Sequence, residues 1–320
     1  MKKTTKQGLM FFLCLWNIIA HGQNTHNTLA HSFLQKDSIT STLDGNTQVF
    51  YYFKALDSKP RPLVVQLHSW SYSADDLQNI NLDSAAKSKN WNYIFPNFRG
   101  VNNHSKACCS EYVLSDIDEA IDWALTHMNI DKKRIYVVGH SGGGYATLAM
   151  YMKSRHRIQA FSAWVPISNL GDWYGESVER KNKYAAEIIK CIGANDTFDE
   201  QKAKERSPIY WKTPLKKRKK SYLQIYTGIH DGYTGSVPIS QSIHFYNKLL
   251  IDAKEPDKSK FVSPEDLSTM LKTRTSPSSK TFKLLGNRDI LYQKSTKNIQ
   301  LTVFEGTHEM LSKVVLENLE

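Results

Sequence analysis

The chain has 320 residues, of which 40% are apolar and 23% are charged. A chain of this length and composition suits one large hydrophobic core, so we expect a single α/β domain with insertions. The formal net charge of +11 would suit nucleic acid, but no nucleic-acid motif accompanies it, which excludes that class of partner. We expect instead attraction to anionic surfaces or to a polyanionic substrate, with solubility alone as the alternative.

Residues 1–22 have the pattern of a secretory signal peptide. Three lysines precede an apolar run over 9–20, and Ala20 and Gly22 place small residues where a signal peptidase reads the chain. The apolar run is about a dozen residues long, whereas a membrane-spanning helix needs about 20. We therefore predict a periplasmic or secreted protein without a membrane anchor. Its mature chain, residues 23–320, would have a net charge lowered from +11 to +8 by the loss of the three lysines.

Apolar runs of the β type alternate with helix-period segments from residue 42 to residue 191. This alternation is typical of a mostly parallel sheet with helices on both faces. Two segments break it, about 166–220 and 251–298, and we predict that both are lid insertions over the carboxyl edge of the sheet. The predicted strands are Gln48–Lys54, Leu63–Leu67, Tyr93–Asn97, Arg134–Val138, Ala160–Val165, Tyr222–Tyr226 and Ile299–Phe304.

A glycine-rich turn, Gly139-His140-Ser141-Gly142-Gly143-Gly144, lies between the predicted strand Arg134–Val138 and a helix-period segment that begins at Tyr145. In this context the G-x-S-x-G pattern predicts a strained turn that exposes a serine hydroxyl. Its glycines stand where neighbouring chain passes too close for side chains. A phosphate loop would need a lysine after the glycines, where Tyr145 stands. Ser141 is therefore the predicted nucleophile.

A serine nucleophile needs a base, and the base needs an acid that fixes its tautomer and stabilises its cation. Folds with this turn carry the triad in the chain order serine, acid, histidine. Asp231 directly follows the predicted strand Tyr222–Tyr226, where a loop at the carboxyl edge would present a carboxylate. His308 follows the last predicted strand, whereas His244 lies on a predicted helix. We therefore predict a triad of Ser141, Asp231 and His308.

Backbone N–H groups must stabilise the oxyanion of the tetrahedral intermediate. One should belong to Gly142, the residue after the nucleophile. The other should come from the loop after Leu63–Leu67, which reads His68-Ser69-Trp70-Ser71. We favour Trp70, although the sequence supports Ser69 equally, and Trp70 could instead cover the site.

Three cysteines follow the predicted signal peptide: Cys108, Cys109 and Cys191. An exported protein meets an oxidising compartment, which favours one disulfide. Bonding the two adjacent cysteines to each other would strain the backbone. Cys191 should therefore pair with Cys108 or Cys109 and leave one thiol over.

The order of these motifs resembles the prolyl oligopeptidase-like branch of the α/β hydrolases. The resemblance rests on the turn at Ser141, on His230-Asp231-Gly232 and on Gly306-Thr307-His308-Glu309, and it covers nearly the whole mature chain. It implies the α/β-hydrolase fold as a catalytic domain alone, because the β-propeller of prolyl oligopeptidases proper has no room in 320 residues. The chain departs from the branch at His68-Ser69-Trp70, where a His-Gly-Gly type of loop is usual.

Shorter motifs within that branch resemble secreted bacterial carbohydrate esterases, including pectin methylesterases. They are Phe98-Arg99-Gly100, Ala107-Cys108, Trp164-Val165-Pro166-Ile167 and Gly228-Ile229-His230-Asp231-Gly232. A cysteine of those esterases matches Cys108, so the resemblance implies a disulfide between Cys108 and Cys191.

Three kinds of function fit these residues: a polysaccharide esterase, a serine peptidase and a catalytically idle binding module. All three triad positions are filled, which argues against the idle module. A peptidase would need acids near the site to hold a peptide's amino terminus, and the insertions show aromatic residues such as Trp173 instead. Trp173 could stack on a sugar ring, with core packing as the alternative. Arg99 could bind a substrate carboxylate, with a structural ion pair as the alternative.

The sequence therefore predicts a serine esterase that removes methyl esters from an anionic, pectin-like polysaccharide. Unesterified uronates in such a polymer would be attracted by the net charge of +8 that the mature chain carries. A glycan O-acetyl esterase is the second expectation and a prolyl oligopeptidase-like peptidase is the third. Triad chemistry requires no metal ion or organic cofactor, and we expect none.

Overall fold

A computed structural model describes residues 31–277 and 283–319. The predicted signal peptide and its cleavage site lie outside these residues. Ten strands form one sheet in the order β1-β2-β4-β3-β5-β6-β7-β10-β9-β8. They are β1 (Gln35–Thr40), β2 (Thr47–Phe53), β3 (Arg61–Leu67), β4 (Asn92–Pro96), β5 (Ile130–His140), β6 (Ala160–Trp164), β7 (Tyr222–Gly228), β8 (Leu284–Leu285), β9 (Arg288–Ser295) and β10 (Ile299–Phe304).

The centre of the sheet is parallel. Six neighbouring strands, β4, β3, β5, β6, β7 and β10, run in the same direction. The remaining strands are joined at the two edges through antiparallel pairings. This sheet confirms the predicted α/β-hydrolase fold. Because parallel strands end at the same edge, the loops after β3, β5, β7 and β10 meet there.

Helices cover both faces of the sheet, as predicted. α2, α3 and α8 contribute to the hydrophobic cluster on one face, and α1 and α10 contribute to the cluster on the other. The α-helices are α1 (Asp83–Ser88), α2 (Glu111–His127), α3 (Gly142–Lys153), α4 (Leu170–Glu179), α5 (Tyr184–Cys191), α6 (Glu200–Glu205), α7 (Leu215–Arg218), α8 (Ile239–Asp252), α9 (Pro264–Thr273) and α10 (Ser312–Val315).

Strand β3 illustrates why the sequence forms a sheet that is covered twice. Leu63 and Val65 belong to the cluster on one face of the sheet, and Val64 belongs to the cluster on the other. A strand buried on both faces needs apolar residues in both registers, which produces a continuous apolar run rather than an alternating one.

Helix α2 forms where the sequence supplies both a start signal and an apolar stripe. The side chain of Ser110 caps its first turn by accepting a hydrogen bond from the Val113 N–H group, 3.3 Å away. Val113, Ile117, Ala120 and Ala124 recur at the helical spacing and are buried against the sheet.

The insertion predicted at 251–298 is wrong in part. Its last residues form β9, which pairs antiparallel with β10 and extends the sheet instead of lying over its carboxyl edge. Ile290 and Tyr292 are buried in β9, but the apolar centre of this strand is only three residues long, and polar residues on both sides of it made the strand hard to predict. The segment 166–220 contains α4 to α7, and its first two helices lie over the carboxyl edge. We call α4 and α5 the lid.

A disulfide fastens the lid to the body of the domain. Cys191, the last residue of α5, pairs with Cys108, which precedes α2, and their Cα atoms are 5.7 Å apart. Cys109 is a buried free thiol. Within residues 31–277 and 283–319, no helix is long and apolar enough to cross a membrane.

Candidate active site

Ser141 occupies a sharp turn between β5 and α3. Its backbone φ is +58°, in the left-handed region that side chains rarely adopt. The turn is possible because glycines flank the serine: a Cβ on Gly139 would collide with the backbone of Gly143, and one on Gly143 would collide with the carbonyl of Leu67. The predicted strand, turn and helix therefore present the Ser141 hydroxyl at the carboxyl edge of the sheet.

The structure brings the three predicted triad residues into one hydrogen-bonded line. Ser141 Oγ lies 2.7 Å from His308 Nε2, and His308 Nδ1 lies 2.8 Å from Asp231 Oδ2. An Nδ1–H group that donates to Asp231 leaves Nε2 free to accept the serine proton, which is the tautomer that a general base requires. His308 can therefore act on Ser141.

Asp231 is fully buried in the loop of residues 229–238, which we call the acid loop. Its Oδ1 accepts hydrogen bonds from the N–H groups of Gly232, at 2.9 Å, and Val237, at 3.1 Å. These two bonds fix the carboxylate while Oδ2 faces the histidine. A Cβ on Gly235 would overlap Asp231 Oδ1 and lie 2.7 Å from His308 Cβ, so the loop closes tightly over the acid and the base.

The geometry favours Trp70 over Ser69 as the second oxyanion donor. A Cβ on Gly142 would collide with the backbone N of Trp70, so the backbones of these two residues are in close contact. Gly142 is the first residue of α3, where N–H groups have no acceptor within the helix. Ser69 instead donates its hydroxyl to the carbonyl of His140, at 2.8 Å, which anchors the loop.

His140 links three parts of the site, a role that the sequence did not reveal. Its Nδ1 lies 2.8 Å from Ser69 Oγ in the loop before Trp70, and its ring lies 5.4 Å from the ring of His308, centroid to centroid. Burial lowers the pKa of His140 to about 4, with a smaller contribution from the charge of His308. His140 is thus neutral at neutral pH and adds no charge beside the triad.

Most of the chain around this site matches a known protein family. Residues 82–263, which include Ser141 and Asp231, match the prolyl oligopeptidase family, peptidase family S9. The chain belongs to the prolyl oligopeptidase family. It is therefore a serine hydrolase of that superfamily. No curated protein sequence matches the chain.

Solved structures share the fold of this family member at low sequence identity. The acylaminoacyl peptidase of Pyrococcus horikoshii is 19% identical with a TM-score of 0.53, and the match covers 69% of this chain and 35% of the peptidase. A puromycin-hydrolyzing peptidase of Mycobacterium tuberculosis is 16% identical with a TM-score of 0.56, covering 89% and 37%. The chain thus spans little more than a third of these peptidases.

A third structure is matched over almost its whole length. The S-formylglutathione hydrolase of Staphylococcus aureus is 14% identical with a TM-score of 0.55, and the match covers 90% of this chain and 98% of the hydrolase. At such identities these likenesses show the α/β-hydrolase fold alone.

The lid of this prolyl oligopeptidase family member is tied to the loops around Ser141. Glu187 of α5 accepts a hydrogen bond from the indole of Trp70 at 2.8 Å, and Lys183, the N-cap residue of α5, donates to Ser71 Oγ at 2.8 Å. Arg180, the C-cap residue of α4, donates to the carbonyl of Gly235 at 2.9 Å. These contacts hold the lid on the loop that contains Trp70 and Ser71 and on the acid loop.

The prediction that Trp173 stacks on a sugar ring is wrong, because this residue is buried in the lid. Its ring packs edge-on against Trp70 at 4.7 Å and lies 4.8 Å from the ring of Tyr184, between ring centroids. Its indole N–H donates to the carbonyl of Ser236 at 2.8 Å. The ring and the indole N–H of Trp173 are thus engaged with protein, and only 1% of the residue is exposed.

The prediction that Arg99 binds a substrate carboxylate is also wrong. Its guanidinium is buried and is held by Asp116, with Nε 2.5 Å from Oδ2, and by Asp44, with NH1 2.7 Å from Oδ2. It also donates to Ser41 Oγ at 2.7 Å. Two carboxylates and a hydroxyl occupy the guanidinium, which is the structural ion pair that the sequence left open.

The lid carries an acid beside the site that the sequence analysis overlooked. Glu176 of α4 has an oxygen, Oε2, that is buried and accepts no hydrogen bond. Burial raises the pKa of Glu176 to about 7; Arg180 opposes the shift, and Asp172 and Asp231 add to it. The spacing of three residues from Trp173 was the only sequence signal that placed Glu176 on this side of α4.

Proposed function

We propose that this hydrolase cleaves an acyl bond by forming an acyl-enzyme on Ser141. The observation that carries the proposal is the continuous line of hydrogen bonds from Ser141 Oγ through His308 to Asp231, at 2.7 and 2.8 Å. His308 Nε2 takes the serine proton as Oγ attacks the substrate carbonyl. The resulting imidazolium is stabilised by Asp231, whose buried carboxylate points at Nδ1.

The same groups complete the acylation and then carry out the deacylation. In this proposal the N–H groups of Gly142 and Trp70 stabilise the negative charge that develops on the carbonyl oxygen. His308 then passes its proton to the leaving amine or alcohol, and the acyl group stays on Ser141. A water molecule then attacks the acyl carbon while it gives a proton to His308. The bond to Ser141 Oγ breaks, His308 returns the proton to Oγ, and the acid leaves.

Peptides and amino-acid amides are the substrate class that we place first. Membership of the prolyl oligopeptidase family supports an amide bond. Two arguments for a sugar polymer have lost their basis, because Trp173 and Arg99 are both buried and engaged with protein.

An ester of an anionic polysaccharide, pectin-like or O-acetylated, is the second candidate. Tyr233, two residues after Asp231, is 72% exposed, and Arg274 lies over its ring at 5.3 Å. An exposed aromatic ring with a guanidinium beside it suits a sugar acid, and the net charge of +8 left after removal of residues 1–22 would attract the polymer.

One panel of substrates separates the two candidates. The protein and its Ser141→Ala variant are incubated with chromogenic aminoacyl and dipeptidyl amides, with pectins and with acetylated glycans. Released chromophore, methanol and acetate are then measured. Ser141-dependent amide cleavage supports the peptidase, whereas Ser141-dependent methanol or acetate supports the esterase. No Ser141-dependent product from any substrate would contradict the proposed acyl transfer.

Tyr233→Ala adds a second discriminator within the same panel. Loss of the exposed ring should weaken hydrolysis of a polysaccharide ester and leave a small amide unaffected. A basic protein acting on a polyanion should also lose apparent affinity as salt is raised, with little change for a small neutral ester. Equal salt effects on both substrates would contradict the polysaccharide candidate.

We propose export to the periplasm or the medium as the location. The disulfide between Cys108 and Cys191 supports an oxidising compartment, because cytosolic thiols are kept reduced. Cell fractionation of the full chain and the N-terminal sequence of the mature protein test this. An N-terminus at Gln23 is expected, and an uncleaved protein in the cytosol would contradict export.

A further inference from the structure

One stripe of helix α4 faces the acid loop. Trp173 and Arg180, the C-cap residue that directly follows α4, lie seven residues apart along this stripe and donate hydrogen bonds to consecutive carbonyls of the loop, those of Ser236 at 2.8 Å and Gly235 at 2.9 Å. Residues three and four apart share a helix face, so Glu176 lies between these two contacts. The lid thereby holds the Glu176 carboxyl against the loop that carries the triad acid.

The Glu176 carboxyl makes no contact that would stabilise the fold through its buried oxygen. Its Oε2 is buried without a hydrogen-bond partner, and so is the hydroxyl oxygen of its neighbour Ser177. Native proteins leave few buried polar atoms unsatisfied, because each costs free energy that an apolar residue would avoid. An acid kept at this cost points to a role outside folding.

The charges around Glu176 come from two elements. On its own helix, Arg180 opposes and Asp172 reinforces the burial that raises the pKa of Glu176 to about 7. From the acid loop, Asp231 adds to the shift, and Asp231 is bonded to His308 at 2.8 Å. A carboxyl that interacts with Asp231 also acts on the histidine behind it.

We propose that Glu176 is a positioning residue whose carboxylate supplies a second negative charge behind the His308–Asp231 pair and stabilises the His308 imidazolium that forms as Ser141 is acylated. The inference rests on the acyl transfer proposed above. The sign follows from the chemistry: His308 gains a proton in the transition state, and a nearby negative charge favours the protonated ring. Protonation of Glu176 removes that charge and slows acylation.

The test measures the rate at which a fluorophosphonate probe labels Ser141, from about pH 5 to about pH 9, with a chromogenic ester alongside. Labelling reports the nucleophile and its base without depending on the natural substrate. The wild-type rate should rise in two steps with pH, the second of them near pH 7 as Glu176 loses its proton. Glu176→Gln should lose the second step, and its plateau should fall about threefold to tenfold.

Two further variants separate charge from structure. Glu179→Gln removes one charge from an exposed position on the same helix and should keep both steps. Glu176→Asp keeps the charge and should keep the second step, although the shorter side chain can change the pH at which that step occurs. Thermal unfolding of all variants shows whether the fold is intact, and Glu176→Gln should be at least as stable as the wild type.

The outcomes distinguish this inference from the function on which it rests. Two steps retained in Glu176→Gln, or the same loss in Glu179→Gln, would overturn the role of Glu176 while leaving the acyl transfer standing. Failure of the wild-type protein to label at Ser141 would overturn the proposed function and this inference together.

Discussion

Trp173 of helix α4 donates its indole N–H to the backbone carbonyl of Ser236 in the acid loop, 2.8 Å away. Ser236 lies five residues after Asp231, and the same loop bends over the acid at Gly235. The lid and the triad acid are therefore parts of one packed unit. This makes the lid a determinant of catalytic geometry as well as a cover.

Trp173→Phe tests this connection. Phenylalanine keeps most of the packing against Trp70 but leaves the Ser236 carbonyl without its donor, so we expect a loss of about 1–3 kcal/mol in unfolding free energy. Hydrolysis of a small ester should also slow severalfold as the acid loop loosens. Trp211→Phe is the control, because its indole bonds to Glu205 on the exposed side of the protein. Equal effects of both substitutions would contradict the link.

Gly235→Ala tests how tightly the acid loop closes on the triad. The new methyl group would overlap Asp231 Oδ1 and crowd His308, so the acid and base must move apart. A displacement of about 1 Å in a catalytic group can cost about 100-fold in rate, and we expect a loss in kcat of that order.

Gly175→Ala is the matched control for that substitution. A Cβ at Gly175, within α4, meets no atom within 4 Å, so alanine should stabilise the helix by about 0.5–1 kcal/mol and leave kcat unchanged. A Gly235→Ala variant with wild-type kcat would contradict the described packing.

Arg99→Ala tests whether Arg99 stabilises the fold, as its buried ion pairs indicate, and does not bind substrate. Removing the guanidinium leaves Asp116 and Asp44 without their partner, and breaking a buried ion pair costs about 3–5 kcal/mol. Values of kcat/KM for the folded variant should match the wild type. Arg134→Ala, which removes an exposed pair with Asp131, should change stability by less than about 1 kcal/mol. A stable Arg99→Ala variant with reduced kcat/KM would restore a substrate role.

Cys191→Ser tests the fastening of the lid. The disulfide closes a segment with a sequence separation of 83 residues, and loss of such a cross-link costs about 2–5 kcal/mol. Cys109→Ser removes a buried thiol that forms no disulfide and should cost less. Chemical denaturation of both variants, with and without a reductant, gives the comparison. A reductant that leaves wild-type stability unchanged would contradict the disulfide.

Much of the sheet could be predicted because its central strands are buried on both faces. Strand β10 spans Ile299–Phe304 as expected, and the ends of β5 and β7 lie close to their predicted places. β1 escaped notice because its residues are exposed or partly exposed, so no apolar period marks it. The conformation of an edge strand depends on its pairing with the neighbouring strand, and that pairing cannot be predicted from the residues of the edge strand alone.

The triad could also be predicted, since each member follows a strand that ends at the same edge. Side chains with remote partners could not. Asp44 and Asp116 pair with Arg99 from positions 55 and 17 residues away, and no local sequence pattern predicts these ion pairs. Glu176 and Trp173 likewise depend on how α4 docks on the acid loop, which is a tertiary contact. Sequence patterns report burial and turns, whereas ion pairs and docking surfaces appear only after folding.

The most direct test of the triad is whether its members act as one unit. Hydrolysis of a chromogenic ester is measured for Ser141→Ala, for His308→Ala and for the double variant, with folding checked by circular dichroism. Residues that act together are not additive, so each single variant should lose about 10⁴-fold or more in kcat, and the double variant should lose no more than the worse single one. Residual activity near the wild-type level in Ser141→Ala, or losses that multiply in the double variant, would contradict the assignment.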